Sequence, residues 1–267
     1  MRRIDWSTAV AQPRLAGVRC LVRFVEGRAL AFSADGRVLC VPHVTEALGP
    51  AGCKEGVLAL DGVLCHPDLD VAALANLVSG PQRHPLPGEM ERVCYHACDF
   101  VSPKGFLARH ADLRRLLGSR CPGASRCVRL AELVKVRSHQ ELLVAQSYFL
   151  AAGHTGAMLR HGAAGYEGGR RSPYLLQLVP VHDRAFPVED YKLGRGRHAG
   201  VPVFVCATDE GNYFDVLAPG RSLEEKMAFA EQAAGYVGRS LRVRFSEYVD
   251  TADGTVPFQP VSVGFVS

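Results

Sequence analysis

The sequence predicts an α+β protein of two domains: antiparallel sheets with helices over residues 1–181, then a small β-barrel over residues 182–267. Three observations carry this. Glu26-Gly27 and Asp35-Gly36 separate short apolar runs, and Asp-Gly between such runs signals a hairpin because its tight turn needs positive φ. Ser138-His-Gln-Glu141 and Ser222-Leu-Glu-Glu225 are capping boxes, each opening a helix. After Pro180 the pattern becomes strand-like runs with one helix, which suits a small barrel.

From the amino terminus, residues 18–25, 29–33 and 38–41 read as strands. Residues 69–78 have apolar residues at helical spacing and end at Gly80. Residues 92–101 are a further strand, and 105–117 a helix stopped by Gly118. The helix behind Ser138 has apolar residues Leu142, Leu143, Phe149 and Leu150 and ends at Gly153, and residues 174–179 form a short buried strand. In the second domain, residues 201–207, 212–217 and 241–249 are strands, and the helix behind Ser222 closes at Gly235.

With 267 residues, 48% of them hydrophobic and 22% charged, the chain can build a core without a metal or disulfide staple. Its formal charge of +4 permits contact with a polyanion without requiring it. Only five of the 31 basic residues are lysines, so groups able to give up a proton and attack are scarce. No apolar run approaches the roughly 18 residues of a membrane span, and no leader is expected at the start of the chain. The nine cysteines sit mostly in apolar runs and read as reduced thiols, which points to a cytoplasmic setting.

Four short stretches follow in order: Pro13-Arg-Leu-Ala-Gly-Val-Arg19, Leu60-Asp-Gly-Val-Leu64, Thr155-Gly-Ala-Met-Leu-Arg160 and Tyr174-Leu-Leu-Gln-Leu-Val179. Between them lie Ser33-Ala-Asp-Gly36, Pro42-His43 and Tyr95-His-Ala-Cys-Asp99. Together they resemble the ordered motifs of the ATP-dependent DNA ligases, from about Ile4 to the carboxyl end. The resemblance is to the compact phage and viral type. It implies a nucleotidyltransferase (ATP-grasp-like ligase adenylation) domain followed by an OB-fold domain. The OB part resembles the ligases through Phe186-Pro-Val188, Gly194-Arg-Gly-Arg-His-Ala-Gly200 and Tyr236-Val-Gly238.

Such ligases attack the α-phosphate of ATP with a motif lysine. Here that position is Arg14, whose guanidinium has no lone pair to offer at working pH. The motif aspartate is Ala16, and the family's arginine in Ser33-Ala-Asp-Gly36 is Ala34. The glutamates that help place a divalent metal are Val63 and Thr155, and the two phosphate-holding lysines are Gln177 and Val179. Residues that shape turns persist: Gly17, Gly36, Asp61, Gly62, Gly156, Met158 and Leu159. The resemblance thus implies a framework kept while nucleotide-transfer chemistry was lost. No cofactor is expected, and ATP with magnesium enters only if the inactive reading fails.

The candidates for phosphate contact are Arg19, Arg160, Arg170 and Arg171 near the former site, and Lys192, Arg195 and Arg197 in the second domain. Cys94, His96 and Cys98 alternate on a strand near Cys65 and His66, which allows a zinc set or simply buried thiols. Without any Cys-x-x-Cys pair, no metal is expected. Three functions follow. One is a non-catalytic protein on duplex DNA. Another is a structural or assembly protein contacting other subunits, in the cytoplasm or a phage or viral particle. The third is a residual ligase or nucleotide sensor.

Overall fold

A computed structural model describes residues 4–50, 59–80, 88–120, 126–169, 172–251 and 253–266, and the chain divides into two compact units, Met1–Leu178 and Val179–Ser267. The first unit runs β1 (Ala9–Pro13), β2 (Val18–Val25), β3 (Arg28–Ser33), α1 (Pro42–Leu48), β4 (Ala59–Cys65), α2 (Val71–Val78) and β5 (Cys94–Phe100). It continues through α3 (Phe106–Arg120), β6 (Val128–Leu130), β7 (Val134–Lys135), α4 (His139–Ala151), β8 (Ala157–His161) and β9 (Leu175–Leu178). One sheet has the order β3-β2-β4-β5-β6 and is antiparallel except for the β5–β6 pair. The other has the order β7-β1-β8-β9 and is antiparallel throughout.

Helices α1, α2 and α4 start where a side chain or a proline supplies the opening. Pro42 opens α1, where a missing N–H costs nothing. The Asp70 carboxylate accepts from the Ala73 N–H at the start of α2, and Ser138 Oγ accepts from the Glu141 N–H at the start of α4. Leu48, Leu74, Leu113 and Leu116 of α1, α2 and α3 pack with Leu60, Leu64 and Tyr95 on one face of the larger sheet. Leu142 and Phe149 of α4 pack with Ala11 and Leu159 on the smaller one. The opposite face of the larger sheet carries Arg19, Asp61 and Val63, because side chains alternate along a strand.

Buried polar groups tie the two sheets together. Asp99 on β5, 1% exposed, accepts from Arg109 of α3 at 2.8 and 3.1 Å and from Arg160 of β8 at 3.0 Å. Arg160 also donates to Gln12 of β1 at 2.6 Å, and Gln12 donates to the Cys98 carbonyl at 3.2 Å. A bidentate guanidinium–carboxylate pair suits this place, since a buried charge needs its hydrogen bonds filled.

Two glycines are required by close approach. A Cβ on Gly17 would lie 2.1 Å from the Leu64 carbonyl oxygen, and one on Gly62 would lie 2.3 Å from the His96 carbonyl oxygen. Gly62→Ala should therefore cost about 1–3 kcal/mol by overpacking. Thermal unfolding should show it as a lower midpoint, and an unchanged midpoint would mean that β4 and β5 part freely.

The second unit has β10 (His182–Leu193), β11 (Pro202–Ala207), β12 (Tyr213–Leu217), α5 (Leu223–Met227), β13 (Ser240–Phe245), β14 (Tyr248–Thr251), β15 (Gly254–Pro257) and β16 (Val261–Phe265). Five strands pair antiparallel in the order β12-β11-β10-β13-β16, and β14–β15 form a separate hairpin. Phe186, Phe204, Phe214, Leu241 and Phe245 fill the core.

Several elements differ from expectation. Residues 38–41 make only an isolated bridge, Phe32 to Val38, because the chain turns into the helix at Pro42. Helix α3 passes through Gly118, whose cost of about 1 kcal/mol is outweighed by packing at Leu113 and Leu116. Strand β9 is an edge strand with Leu176 and Gln177 exposed, rather than a buried one. The helix behind Ser222 ends at Met227, and a separate 3₁₀ turn covers Ala233–Tyr236. Residues 241–249 split between β13 and β14. Strand β10 was hidden because nine of its twelve residues are exposed and only Phe186 and Val188 are fully buried. No described helix is long and apolar enough to cross a membrane.

Candidate functional site

The site is built on the β1–β2 loop and the strands beside it, all within the first unit. The β1–β8 ladder pairs Pro13 with Ala157 and carries on one step further. The Arg14 N–H donates to the Gly156 carbonyl at 2.9 Å, and the Thr155 N–H donates to the Arg14 carbonyl at 3.1 Å. Gly156 has φ of 148°, a conformation that glycine adopts at little cost. This backbone pairing places Thr155 beside Arg14.

The side chains then close on one another. Arg14 Nη1 donates to Thr155 Oγ1 at 2.7 Å, and that hydroxyl donates to the Arg14 carbonyl at 3.0 Å. Gln177, cross-strand partner of Met158 on β8, lays its side-chain amide against Arg14, and the amide assignment that satisfies both groups puts its oxygen toward the guanidinium. It accepts from Nε and, at 3.2 Å, from Nη2. Three of the replaced motif positions therefore satisfy each other.

Val63 lies on β4 beneath the same loop, its Cγ1 2.7 Å from where a Gly17 Cβ would be. Strand register sets it in a row across four neighbouring strands: Arg19 of β2 opposite Val63, Val63 opposite His96 of β5, and His96 opposite Arg129 of β6. Burial holds the His96 imidazole down to about 4, helped by the Arg129 and His154 charges, so it is neutral at physiological pH. Asp61 accepts from Arg19 at 2.9 and 3.1 Å and from the Tyr166 hydroxyl at 2.9 Å. Burial, and then the Asp61 charge, push the Tyr166 hydroxyl up to about 12, so it remains a donor.

A cavity of about 480 Å³ is lined by Arg19, Asp61, Arg109, Arg160, Tyr166 and Gln177 among others. A second hollow of about 810 Å³ shares Arg19 and Tyr166 and includes Arg23 and Ala34. Guanidinium groups on these walls can hold an anion. Positions 14, 63, 155, 177 and 179 offer neither a primary amine nor a carboxylate.

The remaining candidates are dispersed. Ala16 and Ala34 are exposed, and Val179 follows β9 as the first residue of the second unit. Arg160 points inward onto Asp99, with its guanidinium 4.7 Å from the Phe106 ring centre. Lys192 pairs with Asp215 at 2.5 Å, and Arg195 and Arg197 are exposed around the turn Gly196–His198. Arg170 and Arg171 lie outside the described residues. Among the described residues, no three His, Cys, Asp or Glu side chains converge as metal ligands. Burial pushes the Cys65 and Cys98 thiols up to about 12, so they are protonated. Asp99, Arg109, Gln12 and Arg129 had no role in the sequence reading, since nothing local distinguishes them from surface polar residues.

No protein-family model matches the chain. A DNA ligase of African swine fever virus (isolate Tick/Malawi/Lil 20-1/1983) is 28% identical over 144 residues, 50% of this chain but 34% of that protein. The match thus spans about a third of that relative's length. Among solved structures, a Lig E DNA ligase from a study of DNA binding with a minimal scaffold superposes with a TM-score of 0.72 at 19% identity. That superposition covers 98% of this chain and 94% of the other. The Chlorella virus DNA ligase-adenylate superposes with a TM-score of 0.54 at 18% identity, covering 99% and 93%. Over about half its length the chain is similar in sequence to a viral DNA ligase, and over nearly all of its length it has the fold of compact ATP-dependent DNA ligases.

Proposed function

We propose that this chain binds DNA through its larger unit and does not form a lysyl adenylate. The observation that carries the second half is the closed set of bonds among Arg14, Thr155 and Gln177. The residues present do not fit ATP with magnesium. The position for a nucleophilic amine holds a guanidinium already donating to two neighbours, and the positions for metal-placing carboxylates hold Val63 and Thr155. Site carboxylates elsewhere are spent on arginines, Asp61 on Arg19 and Asp99 on Arg109 and Arg160.

Charge distribution supports the first half. Residues 1–178 hold 22 basic and 15 acidic residues, and 179–267 hold nine and twelve. A polyanion is therefore attracted to the larger unit, net +7, and not to the smaller, net −3. The Lys192–Asp215 pair weakens the case for phosphate contact on the OB side. The Lig E relative's DNA binding with a minimal scaffold supports the same reading.

Two measurements test it. Fluorescence anisotropy with a labelled nicked duplex should give an affinity that falls linearly on a log–log plot against salt. Incubation with α-labelled ATP and magnesium, followed by denaturing electrophoresis, should leave the chain unlabelled. Binding indifferent to salt, or none, overturns the DNA half and favours an assembly protein. A labelled band overturns the non-adenylating half.

A further inference from the structure

We infer that a nucleic-acid backbone crosses the larger sheet along the row Arg19–Val63–His96–Arg129, with Arg129 as its outer phosphate contact. The inference rests on the DNA-binding reading and names the track. The register joins these residues across β2, β4, β5 and β6. Adjacent strands lie about 4.8 Å apart, so the two arginines are separated by about 14 Å at the backbone. One phosphate cannot serve both ends. A polyanion can, since 14 Å is roughly four steps of the 3.4 Å rise along one strand of a duplex, and Arg19, although its Nε and Nη2 bond Asp61, keeps a side chain 54% exposed. The middle of the row carries no negative charge: Val63 is apolar and His96 is a neutral imidazole that can donate or accept a hydrogen bond.

The row opens onto a basic margin. Strand β6 is the edge of the larger sheet and β7 the edge of the smaller. Residues 126–137, which contain both, carry Arg126, Arg129, Lys135 and Arg137, all exposed, against a single acidic residue, Glu132. Arg129 makes no ion pair with any described residue within 4 Å, so its charge is not spent inside the protein. A margin of four basic residues against one acidic residue is the footprint of phosphate contact rather than of a salt-bridged surface.

The test uses the whole chain and a labelled nicked duplex, with affinity measured by anisotropy over a salt series. Arg129→Glu should weaken binding about tenfold or more and flatten the salt slope by about 1, the share of one phosphate contact. Arg129→Lys, which keeps the charge, should retain affinity. Arg114→Glu is the control of equal charge change. It sits exposed on α3, which packs on the face of β5 that carries Tyr95 and Ala97, opposite to His96. Wild-type binding that Arg129→Glu leaves unaltered, or that Arg114→Glu weakens equally, overturns the track while the DNA-binding reading stands. Absence of wild-type binding overturns both.

Discussion

Arg14→Lys is expected to leave the chain unlabelled by α-labelled ATP, although it restores the one amine that the ligase motif lacks. The lysine would stand among Ala16, Val63, Thr155, Gln177 and Val179, none of which supplies the carboxylates or second amine of the family's site. Groups that act as one mechanism lose its full benefit when any is absent, so restoring a single member recovers almost nothing. The expected rate therefore stays several orders of magnitude below that of a working ligase. The substitution should also destabilise the fold. Arg14 reaches Thr155 and Gln177 from different edges of one planar group, a geometry that an ammonium on a flexible stem does not reproduce. Loss of one such bond costs about 0.5–1.5 kcal/mol, read as a lower thermal midpoint. A strong adenylate band from Arg14→Lys would mean that the other replacements are tolerated, and the non-catalytic reading would fall with them.

Asp99→Ala should be the most damaging single change to stability. It strips the buried Arg109 guanidinium, 3% exposed, of its only carboxylate partner among the described residues, and removes the anchor of Arg160 as well. Breaking a buried pair from one side typically costs about 3–5 kcal/mol, because the remaining charge stays buried without compensation. At about 2–4 °C per kcal/mol for a protein of this size, the thermal midpoint should fall by roughly 6–20 °C. Replacing both partners, as in Asp99→Leu with Arg109→Met, should recover part of that loss, since the most buried charge, that of Arg109, is then no longer stranded while Arg160 still lacks its anchor. If the double variant is no better than Asp99→Ala, the shape of the network rather than its charge is what matters.

Local chemistry accounts for what was legible in the residues alone. Ser138 and Ser222 cap helices because their hydroxyls accept from N–H groups three positions on, a relation wholly within four residues. Gly17 and Gly62 stand where a strand or carbonyl approaches too closely for any Cβ, so the preserved motif glycines belong to the framework. Where expectation failed, packing overrode pattern: α3 runs through Gly118, and β10 shows too little alternation to be seen.

By itself the sequence determined the α+β class, the likeness to compact ligases, and the absence of an amine at position 14, because these depend on residue identity and short spacings. Only the tertiary structure decided that Arg14 spends its guanidinium on Thr155, 141 residues away, and on Gln177. It also decided that Arg160 turns inward to Asp99, and that Arg19, Val63, His96 and Arg129 stand in one row. The physical reason is strand register. It is settled by the joint burial of both sheets, and a shift of one residue would turn every side chain of a strand to the opposite face.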